Sequence, residues 1–250
     1  MKRNILIGLL LLSLQQTGCT NNVQQNKSNE DNRSTKFNID KVANIDSSYY
    51  HLCSEKFESL IKHPDDKHFH ELMNEFHYAD EYSESLLYCL VASNKLGIDV
   101  AKIRVASCLS ESLSNPNVGQ NSKDLSLSYL KKWASCTKHK RGKQIIERFE
   151  SLTMNENQIR VPTITYNSSE TQRLKAGSLK GSVEDYKKLK EKMSNDEMYV
   201  FMLYYAYIMA DRYAYSPAKK DVITIVNRFY REHNLGPIDK DTQSFCNLFE

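Results

Sequence analysis

Between Met198 and Ala210 the chain reads MYVFMLYYAYIMA, apolar or tyrosine at every position and without a charge. A helix that is apolar all round has no solvent face and must be enclosed by neighbours. The run is too short, and too rich in Tyr, to span a bilayer. Asp196 stands before it as an N-cap and Pro217 follows its end, so residues 196–215 are expected to form the core helix of a helical domain. The rest of the chain agrees. With eight Gly and five Pro in 250 residues there is little to punctuate a many-stranded sheet. Apolar residues recur at helical spacing along most of the length, and period-two alternation is convincing only in RVPTITY, residues 160–166. The fold class expected is all-α. A net charge of +3 is too small to argue for a nucleic-acid partner.

The amino terminus, MKRNILIGLLLLSLQQTGC, places Lys2 and Arg3 before an apolar run from Ile5 to Leu14 and then small residues, the layout of a secretory leader. Its end, Gln-Thr-Gly-Cys, resembles the lipobox of bacterial lipoproteins, with Gln16 where Leu is usual. The resemblance implies cleavage of a signal peptide, residues 1–18, and lipidation of Cys19. Thr20 follows the Cys, where Asp would favour inner-membrane retention, so an outer-membrane anchor facing the periplasm is expected. Several acyl chains hold firmly, since each buried methylene contributes about 0.8 kcal/mol. From Thr20 to Ile39 the chain is Asn, Gln and Ser with scattered charge and nothing to bury, which predicts a flexible tether over residues 19–44. As a coil it would hold the domain on the order of 25 Å from the lipid.

The helices follow in order. Asp46 or Ser47 is expected to cap the first, with Tyr50, Cys53, Phe57 and Leu60 on one stripe. The second begins near Asp66 with Phe69, Leu72, Met73 and Phe76 inward, and the third, residues 81–97, stops at Gly97. A fourth begins at Asp99 and precedes a polar loop. Leu127, Leu130 and Trp133 mark a fifth, and KQIIERFESL is expected as its partner. Residues 155–170 form a polar linker between an N-terminal half, 45–154, and a C-terminal half, 171–250. Ser182 with Asp185 resembles a capping box. Further helices begin at Pro217 and near Thr242, the last docking through Phe245, Leu248 and Phe249.

Shifting the chain by the 117 positions between Leu72 and Leu189 aligns three helices of each half without a gap. Tyr82 then meets Tyr199, Tyr88 meets Tyr205 and Val91 meets Ile208; Asn94 meets Asp211, Lys95 meets Arg212 and Ala101 meets Ala218. Antiparallel helix pairs with small residues at the packing positions resemble tetratricopeptide-type α-solenoid repeats, although the full signature of that family is not met in any one unit. The resemblance implies a stacked array that offers a concave face to a protein or peptide.

Candidate chemistry is sparse. The cluster His63, Asp65, Asp66, His68, His70, Glu71, Glu75 and His77 lacks a second His four positions after His70, so no zinc-peptidase motif is complete and no metal or cofactor is expected. Five cysteines remain beyond Cys19. Cys89 and Cys108 read as packing positions, and an exported chain could pair some of the five as disulfides. Cys136 precedes Lys138, His139, Lys140 and Arg141, whose charge would lower its pKa. Those four basic residues, with Tyr213 and Tyr215 near a helix end, are the candidate binding residues. The reading that follows is a non-enzymatic, lipid-anchored protein that binds a protein partner, one version being immunity against a delivered toxin. The alternative is a cell-envelope enzyme using the His/Asp cluster or Cys136.

Overall fold

The computed structural model describes residues 45–78, 82–110, 120–137, 143–144, 146–147, 170–194 and 198–250. The segments expected as leader and tether, with Cys19, and Lys138 to Arg141, the polar stretch 155–169 and Asp196 lie outside the described residues. Tyr49–Glu250 form one compact unit. Its helices are α1 (Ile45–Lys62), α2 (Asp66–Tyr78), α3 (Leu86–Asn94), α4 (Asp99–Ser110) and α5 (Gln120–Thr137), then α6 (Glu170–Leu179), α7 (Val183–Lys192), α8 (Met202–Asp211), α9 (Ser216–Glu232) and α10 (Lys240–Cys246). Short 3-10 turns precede α3 (Tyr82–Ser85) and α8 (Tyr199–Phe201), and a third closes the chain (Asn247–Phe249). The fold is all-α, with no strand among the described residues.

Each helix forms where side-chain spacing and end chemistry agree. In α1 the stripe Tyr50, Cys53, Phe57 and Leu60 is fully buried, as residues three and four apart share one face. The helix is already under way at Ile45, so neither Asp46 nor Ser47 is its cap. Asp65 caps α2, accepting the His68 N–H at 2.8 Å. In α3 every side chain from Leu86 to Ser93 is buried. Its end closes when the Ile98 N–H reaches back to the Ala92 carbonyl, with Gly97 at φ 75° supplying the left-handed step. In α5 the buried stripe is Ser126, Tyr129, Leu130 and Trp133, and Leu127 is only half-buried beside it.

The run that organises the core is shorter than its composition predicts. It enters as the 3-10 turn Tyr199–Phe201, continues as α8 and ends at Asp211, with all ten residues of α8 buried. The helix stops there because the chain must reverse for α9 to pack back on α8. Ala214, at φ 51°, makes the reversal, and the Tyr215 N–H closes it on the Met209 carbonyl. Pro217 then sits in the first turn of α9.

Neighbouring helices pack as pairs: α3 on α4, α4 on α5, α6 on α7 and α8 on α9. Connections as short as these turn consecutive helices antiparallel. The two sequence halves share a core, because α8 also packs on α3 and on the 3-10 turn before it. Matching elements of the two halves begin 117 positions apart: Asp66 and Val183, Tyr82 and Tyr199, Asp99 and Ser216. Contacts across the halves are exchanged at the same offset. Glu84 accepts from the Tyr205 hydroxyl, while Phe201 and Tyr88, at the corresponding positions, meet edge to face at 6.1 Å.

Candidate functional site

A groove of about 570 Å³ opens beside α5 where it leaves α4. Asp124, Leu127, Ser128, Lys131 and Ser135 recur along one face of α5, and Lys102 of α4 completes the wall with Lys132 and Cys136. The helix pitch puts those α5 residues in a row, so the opposite stripe, anchored by Tyr129 and Trp133 in the core, fixes where the row points. The Ser126 hydroxyl donates to the Ala106 carbonyl at 2.8 Å and pins α5 to α4 below the groove. Lys132 reaches across to Asp241 at 2.6 Å, tying the groove's rim to α10. The lining therefore combines lysine methylenes and Leu127 with serine hydroxyls, and Lys102 and Lys132 are paired with Asp99 and Asp241, which suits an extended polypeptide bound through apolar and carbonyl groups.

At the end of the groove Asp99 is shared by Lys102 and Cys136. The Lys102 hydrogen bond holds the Asp99 carboxyl below its ordinary range, and Cys136 adds a further bond in the same direction. The same contact acts oppositely on the thiol: its hydrogen bond to Asp99 raises the Cys136 pKa above its ordinary value. This corrects the sequence-based expectation that following basic residues make Cys136 a reactive thiolate. An adjacent carboxylate, supplied by a helix far away in sequence, favours the protonated thiol.

The other candidate residues fall as follows. Lys138, His139, Lys140 and Arg141 lie outside the described residues and follow α5 directly in the chain. Tyr213 and Tyr215 are half-buried and away from the groove. The Tyr213 hydroxyl donates to the Leu179 carbonyl at 2.7 Å, and the Tyr215 ring stands edge-on to Tyr186 at 5.9 Å. In the histidine-rich stretch, His68 is engaged by Asp65 at 2.8 Å and His63 stacks on the His68 ring. Among the described residues no three His, Cys, Asp or Glu side chains are placed to hold a metal ion. Cys53, Cys89, Cys108 and Cys246 are buried and unbridged, as is the exposed Cys136. Disulfide pairing among these five, which an exported chain could have used, is therefore not present. No described helix is long and apolar enough to cross a membrane.

Reading the sequence missed Asp99 and the row on α5. The row was detectable as polar residues at three- and four-residue spacing opposite an apolar stripe. The partnership of Asp99 with Cys136 was not, because it joins two helices whose docking no local pattern encodes. No family model, curated protein or solved structure matches the chain.

Proposed function

We propose that the chain is a lipid-anchored, non-enzymatic helical-repeat protein that binds a protein partner at the periplasmic side of a bacterial outer membrane. The observation that carries the binding role is the lysine- and serine-lined groove beside α5, an open surface depression on the α4–α5 pair. The leader and Cys19 support the location, and the paired helices support the repeat reading. The 117-residue offset of matching elements is consistent with a duplicated module whose copies face one another. Against the enzyme reading stands Cys136, the one exposed thiol among the described residues, whose pKa is raised by its bond with Asp99. A toxin delivered by a competitor, held inactive by this chain, is one such partner.

The test uses Cys136, the exposed one of the five described cysteines, as a native attachment point. A thiol-linked photo-crosslinker placed there in the membrane-bound full chain is expected to capture one partner in stoichiometric amount, and the Lys102→Glu/Lys131→Glu variant to lose it. If that partner is a toxin, co-expression of the chain restores growth to cells that make the toxin. Substoichiometric capture, together with one metal ion per chain, overturns the binding reading in favour of the enzyme.

A further inference from the structure

Val183, at 37% exposure, is one of two large hydrophobic residues left open to solvent among the described residues. It begins α7, and Lys187 and Lys190, four and seven positions on, share its face. In the turn before it, Lys180 stands next to Gly181, whose backbone is covered by the Tyr213 ring; a Cβ there would lie 2.6 Å from that ring. From the other side, Tyr215 meets Tyr186, and the Tyr186 hydroxyl bonds Asp221 at 2.8 Å. Lys190 bonds Asp221 too, at 2.5 Å, which brings the exposed Lys220 of α9 alongside. Lys180, Lys187 and Lys220 make no ion pair among the described residues, and Asp221 is already answered by Lys190. The neighbouring acid Glu184 is held by Lys188, at 2.6 Å, on the adjoining face, where Glu191 also lies.

An exposed valine with one lysine in the turn before it, others along its helix face and another on the neighbouring helix has the composition of a surface that rests on lipid headgroups. Lysine stems cover apolar ground while their ammoniums reach phosphate. We infer that this face, built from the α6–α7 turn, α7 and the start of α9, lies on an anionic phospholipid surface. The inference rests on the proposed lipid anchor, since a tether holding the domain on the order of 25 Å from the bilayer keeps the local lipid concentration high.

The experiment compares the full chain in vesicles of phosphatidylglycerol and of phosphatidylcholine, reading the acetylation rate of each lysine with a water-soluble amine reagent by mass spectrometry. In phosphatidylglycerol Lys180, Lys187 and Lys220 are expected to label at least about fivefold more slowly. About 0.5 M salt, which screens such contacts within a few ångström, restores their rates. In the Lys187→Glu/Lys220→Glu variant the protection of Lys180 disappears. Equal rates in the two lipids overturn the inference, as does slowing shared by Lys56, Lys67 and Lys240. Protection found only in native membranes overturns it as well, by assigning the face to a protein. Intact mass of the same samples reads whether Cys19 carries lipid, so failure of the anchor is told apart from failure of the face.

Discussion

Lys175 on α6 and Glu84 in the turn before α3 face each other at 2.8 Å, both almost fully removed from water. Glu84 also accepts from the Tyr205 hydroxyl, and the Lys175 ammonium lies 5.7 Å from the centre of the Tyr50 ring. The pair joins the two halves of the chain inside the core. Removing one partner strands a buried charge, so Lys175→Met is expected to cost about 3–5 kcal/mol in denaturant unfolding. Lys175→Met combined with Glu84→Leu removes both charges and should recover most of that loss. A double variant as unstable as the single one would show that the pair acts through packing alone.

Gly181 is held by two demands at once. Its φ is 88°, and an added Cβ would meet Tyr213 at 2.6 Å. Gly97 has a similar φ of 75° but open space around it. Gly97→Ala should therefore cost about 1 kcal/mol for backbone strain alone, whereas Gly181→Ala adds displacement of the tyrosine and should reach about 2–3 kcal/mol. Thermal unfolding of the two variants side by side checks the difference.

The contrast between those glycines shows where sequence reading stops. Helix positions were legible because apolar spacing is local: the stripe of α1, the uninterrupted apolar run of α8 and the Ser182 cap, which accepts the Asp185 N–H, all follow from residues within a turn or two. Only half of the capping box forms, since the Asp185 carboxylate turns to Arg173 instead. Contacts between distant residues were not legible. Nothing near Cys136 in sequence announces Asp99, and nothing near Gly181 announces Tyr213. The expected binding tyrosines illustrate the same limit: Tyr213 and Tyr215 looked like interface anchors at a helix end, and each is engaged within the fold by α6 or α7.

Thiol chemistry separates the buried cysteines from Cys136 and tests Cys19 at the same time. In the native protein Cys136 is expected to react first with an aromatic disulfide reagent, the buried four only on unfolding. Full denaturation should release five thiols if Cys19 is held in a thioether, and six if its sulfur is bare. Asp99→Asn removes the carboxylate that raises the Cys136 pKa and leaves the Lys102 ammonium beside it, so alkylation of Cys136 near neutral pH should become faster. An unchanged rate would mean that Asp99 does not govern the thiol.

Four tyrosines make the fold sensitive to base. Burial raises the Tyr186, Tyr199 and Tyr230 hydroxyls well above the ordinary value of 10.0, and each also donates to a carboxylate, of Asp221, Glu232 and Asp239. Tyr129 is raised by burial, against the lowering effect of its bond with Asn94. Ionising any of the first three would set a phenolate against an acid at hydrogen-bond distance. Above pH 10 the unfolded chain sheds these protons while the folded chain keeps them, so the unfolded state binds fewer protons and stability falls as pH rises. Below that value the contribution is fully present. Absorbance at 295 nm should therefore show at least these four of the fifteen tyrosines silent until a cooperative alkaline transition that coincides with loss of helical circular dichroism. Replacing Tyr199 by Phe removes one such donor and should move that midpoint to higher pH, by an amount set against the lost bond to Glu232. Smooth titration of all tyrosines with the helix signal intact would contradict the buried donor arrangement.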